Sequence, residues 1–142
     1  MNRKSNRTIL VVEDNVDLCE HLAESIEDGG YKTIVAYDGL EALEKIKNQD
    51  LDLLATDLRI PKLNGIEVIL QLQKTPKKGL PIFIFSGTIS ATSVSKLRSL
   101  NVKKIFLKPF NTLELIDAID ELFAPKVQKI RGGQVEITDE EV

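Results

Sequence analysis

Ile9-Leu10-Val11-Val12-Glu13-Asp14 is a run of four aliphatic residues that ends abruptly in two carboxylates. It lacks the polar alternation of a half-exposed strand and reads as a short strand buried on both faces. Four more runs repeat the pattern: Thr33-Ile-Val-Ala36, Leu51-Asp-Leu-Leu-Ala55, Pro81-Ile-Phe-Ile-Phe85 and Lys104-Ile-Phe-Leu107. Between them lie stretches with helical spacing. Residues 15–28 place Val16, Cys19, Leu22, Ala23 and Ile26 on one stripe, with Asp17, Glu20, Glu24 and Glu27 opposite, and stop at Gly29-Gly30. Residues 39–48 turn Ala42, Leu43 and Ile46 inward, and residues 65–74 do the same with Ile66, Ile69 and Leu70. Residues 112–123 carry Leu115, Ile116, Ile119, Leu122 and Phe123 behind an N-cap at Asn111 or Thr112. Residues 89–100 space Val94, Leu97 and Leu100 for a helix, but Ser90, Thr92, Ser93 and Ser95 weaken it. Five β/α units in strict alternation predict an α/β fold: a parallel sheet with helices on both faces.

Composition agrees with a single soluble domain. The chain has 142 residues, 42% of them hydrophobic and 29% charged, which is enough to bury a core without staples. Cys19 is the one cysteine, so no internal disulfide or cysteine-based zinc site can form, and a reducing, cytoplasmic setting is expected. The basic start Met1 to Arg7 leads only into Ile9–Val12, too short for a signal-peptide core or a membrane span. A net charge of −3 argues against direct nucleic-acid binding as the main activity.

After Pro125 the pattern changes. Val127–Arg131 and Gln134–Thr138 flank Gly132-Gly133, a weak hairpin signal, and Thr138-Asp-Glu-Glu141 has the form of a capping box. Residues 1–124 thus read as the folded domain. Residues 125–142 read as a polar tail, or as a linker towards a further domain.

Ligands of open parallel sheets bind outside the carboxyl ends of the strands. Glu13 and Asp14 follow the first apolar run, Asp57 the third, Ser86 the fourth, and Lys108-Pro109 the fifth. Three carboxylates, a hydroxyl and an ammonium therefore gather at one sheet edge. Packed acids raise one another's pKa unless a cation neutralises them, and hard oxygen donors suit Mg²⁺. The combination points to metal-assisted phosphoryl transfer with a carboxylate nucleophile.

These pieces make the chain resemble the receiver domain of two-component response regulators over about residues 7–124. The matching segments are Val12-Glu13-Asp14-Asn15, Asp38-Gly39-Leu-Glu-Ala-Leu43, Asp57 to Gly65, Pro81 to Gly87 and Lys108-Pro109-Phe110. The resemblance implies a flavodoxin-like (βα)5 doubly wound sandwich of strand order 2-1-3-4-5. It implies that Asp57 is the phosphoacceptor, served by a sensor histidine kinase or a histidine phosphotransfer protein. Asp14, Asp57 and the Arg59 backbone carbonyl would hold Mg²⁺, with Glu13 acting through water. Lys108 would pair with the phosphoryl oxygens, Ser86 would move to bond one of them, and the Lys108–Pro109 bond would be cis. The resemblance further implies a downstream effector protein or domain, no membrane insertion, and is compatible with a dimer formed on phosphorylation. The partner face it implies is built from the last two helices and the fifth strand.

The sequence departs from that pattern at Ile105, where the family usually carries a switching aromatic. The plain reading of Ile105 is a strand residue packed against the last helix, with Phe106 sent to the other face by the two-residue period. Arg59 could bridge to Glu13 in the absence of metal or stand as an exposed guanidinium with little role there, and Arg59 and Thr88 are expected to tune the lifetime of a phosphorylated state. His21 reads as a solvated helix residue and Cys19 as a small buried hydrophobe.

Other functions fit less well. A flavin phosphate would be repelled by Glu13-Asp14, and an aspartyl phosphatase would usually need an acid where Arg59 stands. A docking module that is never phosphorylated is the alternative, but such domains typically lose an acid or the lysine, and here all are present.

Overall fold

The computed structural model describes residues 6–88, 91–129 and 135–138. Strands β1 (Thr8–Val12), β2 (Lys32–Ala36), β3 (Leu53–Asp57), β4 (Ile82–Ser86) and β5 (Val102–Leu107) alternate with five helices. The helices are α1 (Val16–Asp28), α2 (Gly39–Asn48), α3 (Gly65–Gln73), α4 (Ala91–Arg98) and α5 (Thr112–Phe123). The sheet is parallel throughout, in the order β2-β1-β3-β4-β5. Every residue of β3 and β4 is buried, while the edge strands β2 and β5 are partly open, as their positions require.

Alternation along the central strands feeds two cores. Leu10, Val12, Leu54, Ile82 and Ile84 pack with Ala42, Ile46, Val68, Ile69, Leu72 and Leu97 of α2, α3 and α4. Ile9, Val11, Leu53, Ala55, Phe83 and Phe85 pack with Cys19, Leu22, Ile26, Leu115 and Ile119 of α1 and α5. The expected inward stripes need two corrections. Val16 is 47% exposed, because it sits in the first turn of α1, beyond the sheet edge. Leu70 is 38% exposed, because the buried stripe of α3 is Gly65, Val68, Ile69 and Leu72.

Strand ends also shift from the apolar runs. Ladder pairing of Val12 with Thr56 and of Asp57 with Phe85 carries β3 through two polar residues. Asp57 and Ser86 are therefore the last residues of their strands rather than the first residues after them. Past α5, β6 (Lys126–Lys129) and β7 (Val135–Thr138) pair antiparallel, Val127 opposite Ile137, so this part of the tail is a hairpin. Gly132-Gly133, the rest of the capping box after Thr138 and the basic residues 1–5 lie outside the described residues. Among the described residues no helix is long and apolar enough to cross a membrane.

Four helices begin at the carboxyl edge of the sheet with side-chain caps. Asn15 accepts from the Leu18 N–H, Asp38 from Glu41, and Asn111 from Leu113. Asn64 and Glu67 form a reciprocal capping box on α3. These caps fix where each loop leaves its strand, and so fix the rim of the site.

Candidate functional site

The site forms where β1, β3 and β5 end. Glu13, only 2% exposed, accepts a hydrogen bond from the Asn15 N–H at Oε2 (3.0 Å) and from Lys108 Nζ at Oε1 (2.7 Å). Asp57, also buried, accepts from the Arg59 N–H at Oδ1 (3.0 Å) and from Lys108 Nζ at Oδ2 (2.5 Å). One ammonium thus joins two carboxylates from separate strands. The Lys108 N–H donates to the Ser86 carbonyl (2.7 Å), which ties its backbone to the end of β4, and the Lys108–Pro109 bond is cis.

The loop after Asp57 depends on a glycine. A Cβ at Gly65 would lie 2.6 Å from the Asp57 carbonyl oxygen, and the Gly65 N–H donates to the Leu58 carbonyl (2.8 Å). Only glycine lets α3 start this close to the end of β3.

Electrostatics follow from burial and pairing. Burial pushes the Glu13 carboxyl above its ordinary pKa, against the opposing hydrogen bonds from Lys108 and the Asn15 N–H, and neighbouring Asp14 adds to the rise. Burial alone would lower the Lys108 ammonium, but its hydrogen bonds to Asp57 and Glu13, with their charges, outweigh it and raise its pKa. The cluster holds more negative than positive charge, and Asp14 stands exposed at its rim.

The sequence-predicted residues are thus placed unevenly. Glu13, Asp57 and Lys108 converge. Ser86 Oγ donates to the Thr88 carbonyl (2.6 Å), so Thr88 engages the site through its backbone while its side chain faces solvent. Arg59 contributes its backbone, and its side chain is exposed. Of the two readings of Arg59 the structure takes the exposed one; the bridge to Glu13 is not formed, and Lys108 occupies the Glu13 carboxylate.

Ile105 needs a further correction. It packs with the core under α2, α3 and α4, not against α5, because α5 covers the opposite face of the sheet. Phe106 takes that opposite face as expected, 5.6 Å from Phe83 and 5.5 Å from Phe110, ring centre to ring centre. His21 is exposed on α1. Cys19 is buried, its thiol pushed up to about 11 chiefly by burial, which suits a packing role.

Asp38, Gly39 and Lys62 were not singled out for a role by the sequence. Lys62 Nζ lies 3.3 Å from Asp38 Oδ2, and the Gly39 N–H donates to the Pro61 carbonyl (3.1 Å), so the start of α2 touches the loop after Asp57. The N-cap pattern at Asp38 was the available signal, but nothing in it gives the tertiary neighbour.

Among the described residues, no group of three or more His, Cys, Asp or Glu side chains is assembled as a metal cluster. The acidic groups at this edge are nonetheless all hard oxygens: the buried Glu13 and Asp57 carboxylates, with the exposed Asp14 carboxylate beside them. Mg²⁺ commonly takes one or two carboxylates and fills the remaining positions with water and phosphate, so this set fits it.

A doubly wound five-strand sandwich with acids and a lysine at this edge defines a CheY-like receiver fold. The response regulator receiver domain family matches residues 9–120, and the chain belongs to that family. It is 31% identical over 114 residues to sporulation initiation phosphotransferase F of Bacillus subtilis, covering 80% of this chain and 91% of that protein. It is 31% identical to response regulator RR06 of Streptococcus pneumoniae, over 80% of this chain and 52% of that protein. The solved receiver domain of the Francisella response regulator 1452 superposes with a TM-score of 0.76 at 29% identity, covering 82% of this chain and 96% of that one. The chain spans about half the length, or less, of several curated relatives that it matches.

Proposed function

We propose that the chain is a phosphoacceptor switch in which Asp57 takes a phosphoryl group from a phosphohistidine on a sensor kinase or phosphotransfer protein. The observation that carries this reading is the pairing of Lys108 Nζ with Asp57 Oδ2 at the open carboxyl edge of the sheet. A buried carboxylate held beside a fixed ammonium is an oriented nucleophile next to a charge that can stabilise the transferred group.

In the transfer, an Asp57 carboxylate oxygen forms a bond to phosphorus as the phosphorus–nitrogen bond to the donor imidazole breaks. The bonding pair leaves with the imidazole nitrogen. Little covalent help is needed in so loose a transition state, and charge neutralisation and alignment dominate. Lys108 meets the charge on the phosphoryl oxygens. The Arg59 N–H keeps the Asp57 carboxylate from rotating. Asp14, Asp57 and the Arg59 carbonyl would hold Mg²⁺, with Glu13 acting through water, and the metal would supply further neutralisation of the phosphoryl oxygens.

The product carries nearly two negative charges where one stood. The Ser86 hydroxyl, now spent on the Thr88 carbonyl, is a neutral donor at the end of the adjacent strand. Its turn towards the new charge would release the Thr88 carbonyl and bias the segment leading into α4. Regulation of a downstream effector then follows from the altered β4–α4 and β5 face. The role is that of a switch that is its own substrate, hydrolysing its acyl phosphate but turning over no external substrate. A reducing cytoplasmic setting suits the single thiol.

Incubation with acetyl phosphate and Mg²⁺, or with a histidine-phosphorylated donor, tests the reading by intact mass. The wild-type chain is expected to gain one phosphoryl group and Asp57→Asn none. A wild type that gains nothing from either donor contradicts it.

A further inference from the structure

The start of α2 is not part of the acidic cluster, yet it grips the loop that carries Arg59. Three observations define the grip. A Cβ on Gly39 would overlap the Leu63 carbonyl oxygen well inside van der Waals contact, so the two backbones meet with no room for a side chain. The buried Gly39 donates its N–H to the Pro61 carbonyl (3.1 Å). Asp38, already bound to the Glu41 N–H, pairs with Lys62 Nζ at 3.3 Å.

What is gripped is a strained turn. Lys62 has φ 70°, in the left-handed region that a lysine rarely adopts. The Leu63 N–H donates to the Pro61 carbonyl (2.8 Å), closing a three-residue turn around it. Such a backbone persists only where its surroundings enforce it. On one side the enforcing contact is Ile60, buried in the core. On the other it is Asp38 and Gly39. Between Ile60 and the end of β3 lies Arg59, whose N–H bonds Asp57 Oδ1 and whose carbonyl stands in the same short span.

We infer that Asp38 and Gly39 are positioning residues for Asp57: they clamp the Pro61–Leu63 turn and thereby hold the Arg59 backbone against the phosphoacceptor. The inference rests on the phosphoacceptor reading for its purpose, though not for its geometry. It assigns the clamp no contact with a phosphoryl group. Its effect runs through the loop alone, so it should be visible in the unphosphorylated, metal-free protein.

The test compares wild type, Gly39→Ala and Asp38→Asn. Solvent exchange of the Arg59 amide is read by NMR without metal, with the Leu54 and Leu72 amides as core references, and acetyl phosphate labelling with Mg²⁺ is read by mass. Gly39→Ala should speed Arg59 exchange by about tenfold or more relative to Leu54 and Leu72, and slow labelling. Asp38→Asn keeps a capping oxygen but loses the charge facing Lys62, so it should shift both readouts the same way by about twofold. It carries the test if Gly39→Ala fails to fold.

Exchange rising equally at Arg59, Leu54 and Leu72 would mean that the contact merely stabilises the fold, and would overturn the inference. A labelled wild type with both folded variants unchanged would overturn the clamp while leaving the phosphoacceptor reading standing. An unlabelled wild type would fail that reading instead, and remove the clamp's purpose with it.

Discussion

Lys108 stands 51 positions after Asp57 in the chain, yet its ammonium lies 2.5 Å from the Asp57 carboxylate. The same nitrogen is 2.7 Å from Glu13, 95 positions away. Three strand ends are thus tied by one charge, and its removal leaves two buried carboxylates facing each other. Lys108→Met is expected to cost about 1–3 kcal/mol at neutral pH, less than a fully buried pair because the lysine is partly open to water.

The pH dependence of that loss has a defined sign. With no ammonium present, protonating Glu13, whose pKa burial already raises, relieves the repulsion. The deficit of Lys108→Met relative to wild type should therefore shrink between pH 7 and pH 4. At the other extreme, the Lys108 pKa is raised above its ordinary 10.5 on folding. Its stabilisation is complete below that value and lost as the pH climbs through the folded one, so the two proteins should converge again in strong alkali. Urea unfolding across pH reads both limbs. A deficit that grows on acidification would contradict the pairing.

Asp38 should behave in the opposite sense. The Glu41 N–H, with help from Lys62, holds its carboxyl below the ordinary 3.8. That stabilisation is present above 3.8 and lost as the pH falls through the folded value. Asp38→Ala is expected to cost about 1 kcal/mol at pH 7 through the lost cap, and less in strong acid. Unfolding midpoints at pH 7 and at strongly acid pH check it.

Neighbouring residues on β5 should report on opposite faces of the sheet. Phe106→Ala removes a ring packed among Phe83, Phe85 and Phe110 and is expected to cost about 3–4 kcal/mol. Hydrogen exchange should loosen at Leu115 and Ile119 of α5. Ile105→Ala, on the half-buried neighbour, should cost about 1–2 kcal/mol and loosen Leu97 of α4 instead. The reverse pattern would contradict the two-face assignment.

The Ser86–Thr88 hydrogen bond makes a kinetic prediction. Phosphorylation should alter amide protection at Gly87, Thr88 and Leu97, and Ser86→Ala should still be labelled while that response is lost. Equal protection with and without a phosphoryl mimic would contradict a switch at Ser86. Arg59→Ala and Thr88→Ala should change the lifetime of the labelled state several-fold, measured as loss of the phosphoryl mass with time. Unchanged rates would remove both residues from that role.

The sequence exposed the strands because apolar runs and ladders nearly coincide, and it exposed the site because strand ends collect their next residues. It was less clear where backbone pairing overrides side-chain character, as at Thr56 and Asp57, which belong to β3 although they are polar. The spacing of Val16 and Leu70 was helical, but burial also depends on where a helix overhangs its sheet. Arg59 was legible either as a bridge to Glu13 or as an exposed cation, since reach along a loop does not say that the fold delivers Lys108 to Glu13 instead. The Asp38–Gly39 contact with residues 61–63 was hidden because it joins two loops through backbone atoms, which leave no mark on side-chain pattern.

Whether Asp57 accepts the phosphoryl group is decided by locating the label in the chain. The wild-type chain is treated with a histidine-phosphorylated donor and Mg²⁺, reduced with borohydride to convert any acyl phosphate to a stable alcohol, and mapped by peptide mass spectrometry. Conversion is expected at Asp57 alone and is lost in Asp57→Asn. Conversion at Glu13 or Asp14, or none anywhere while the donor keeps its phosphoryl group, would contradict it.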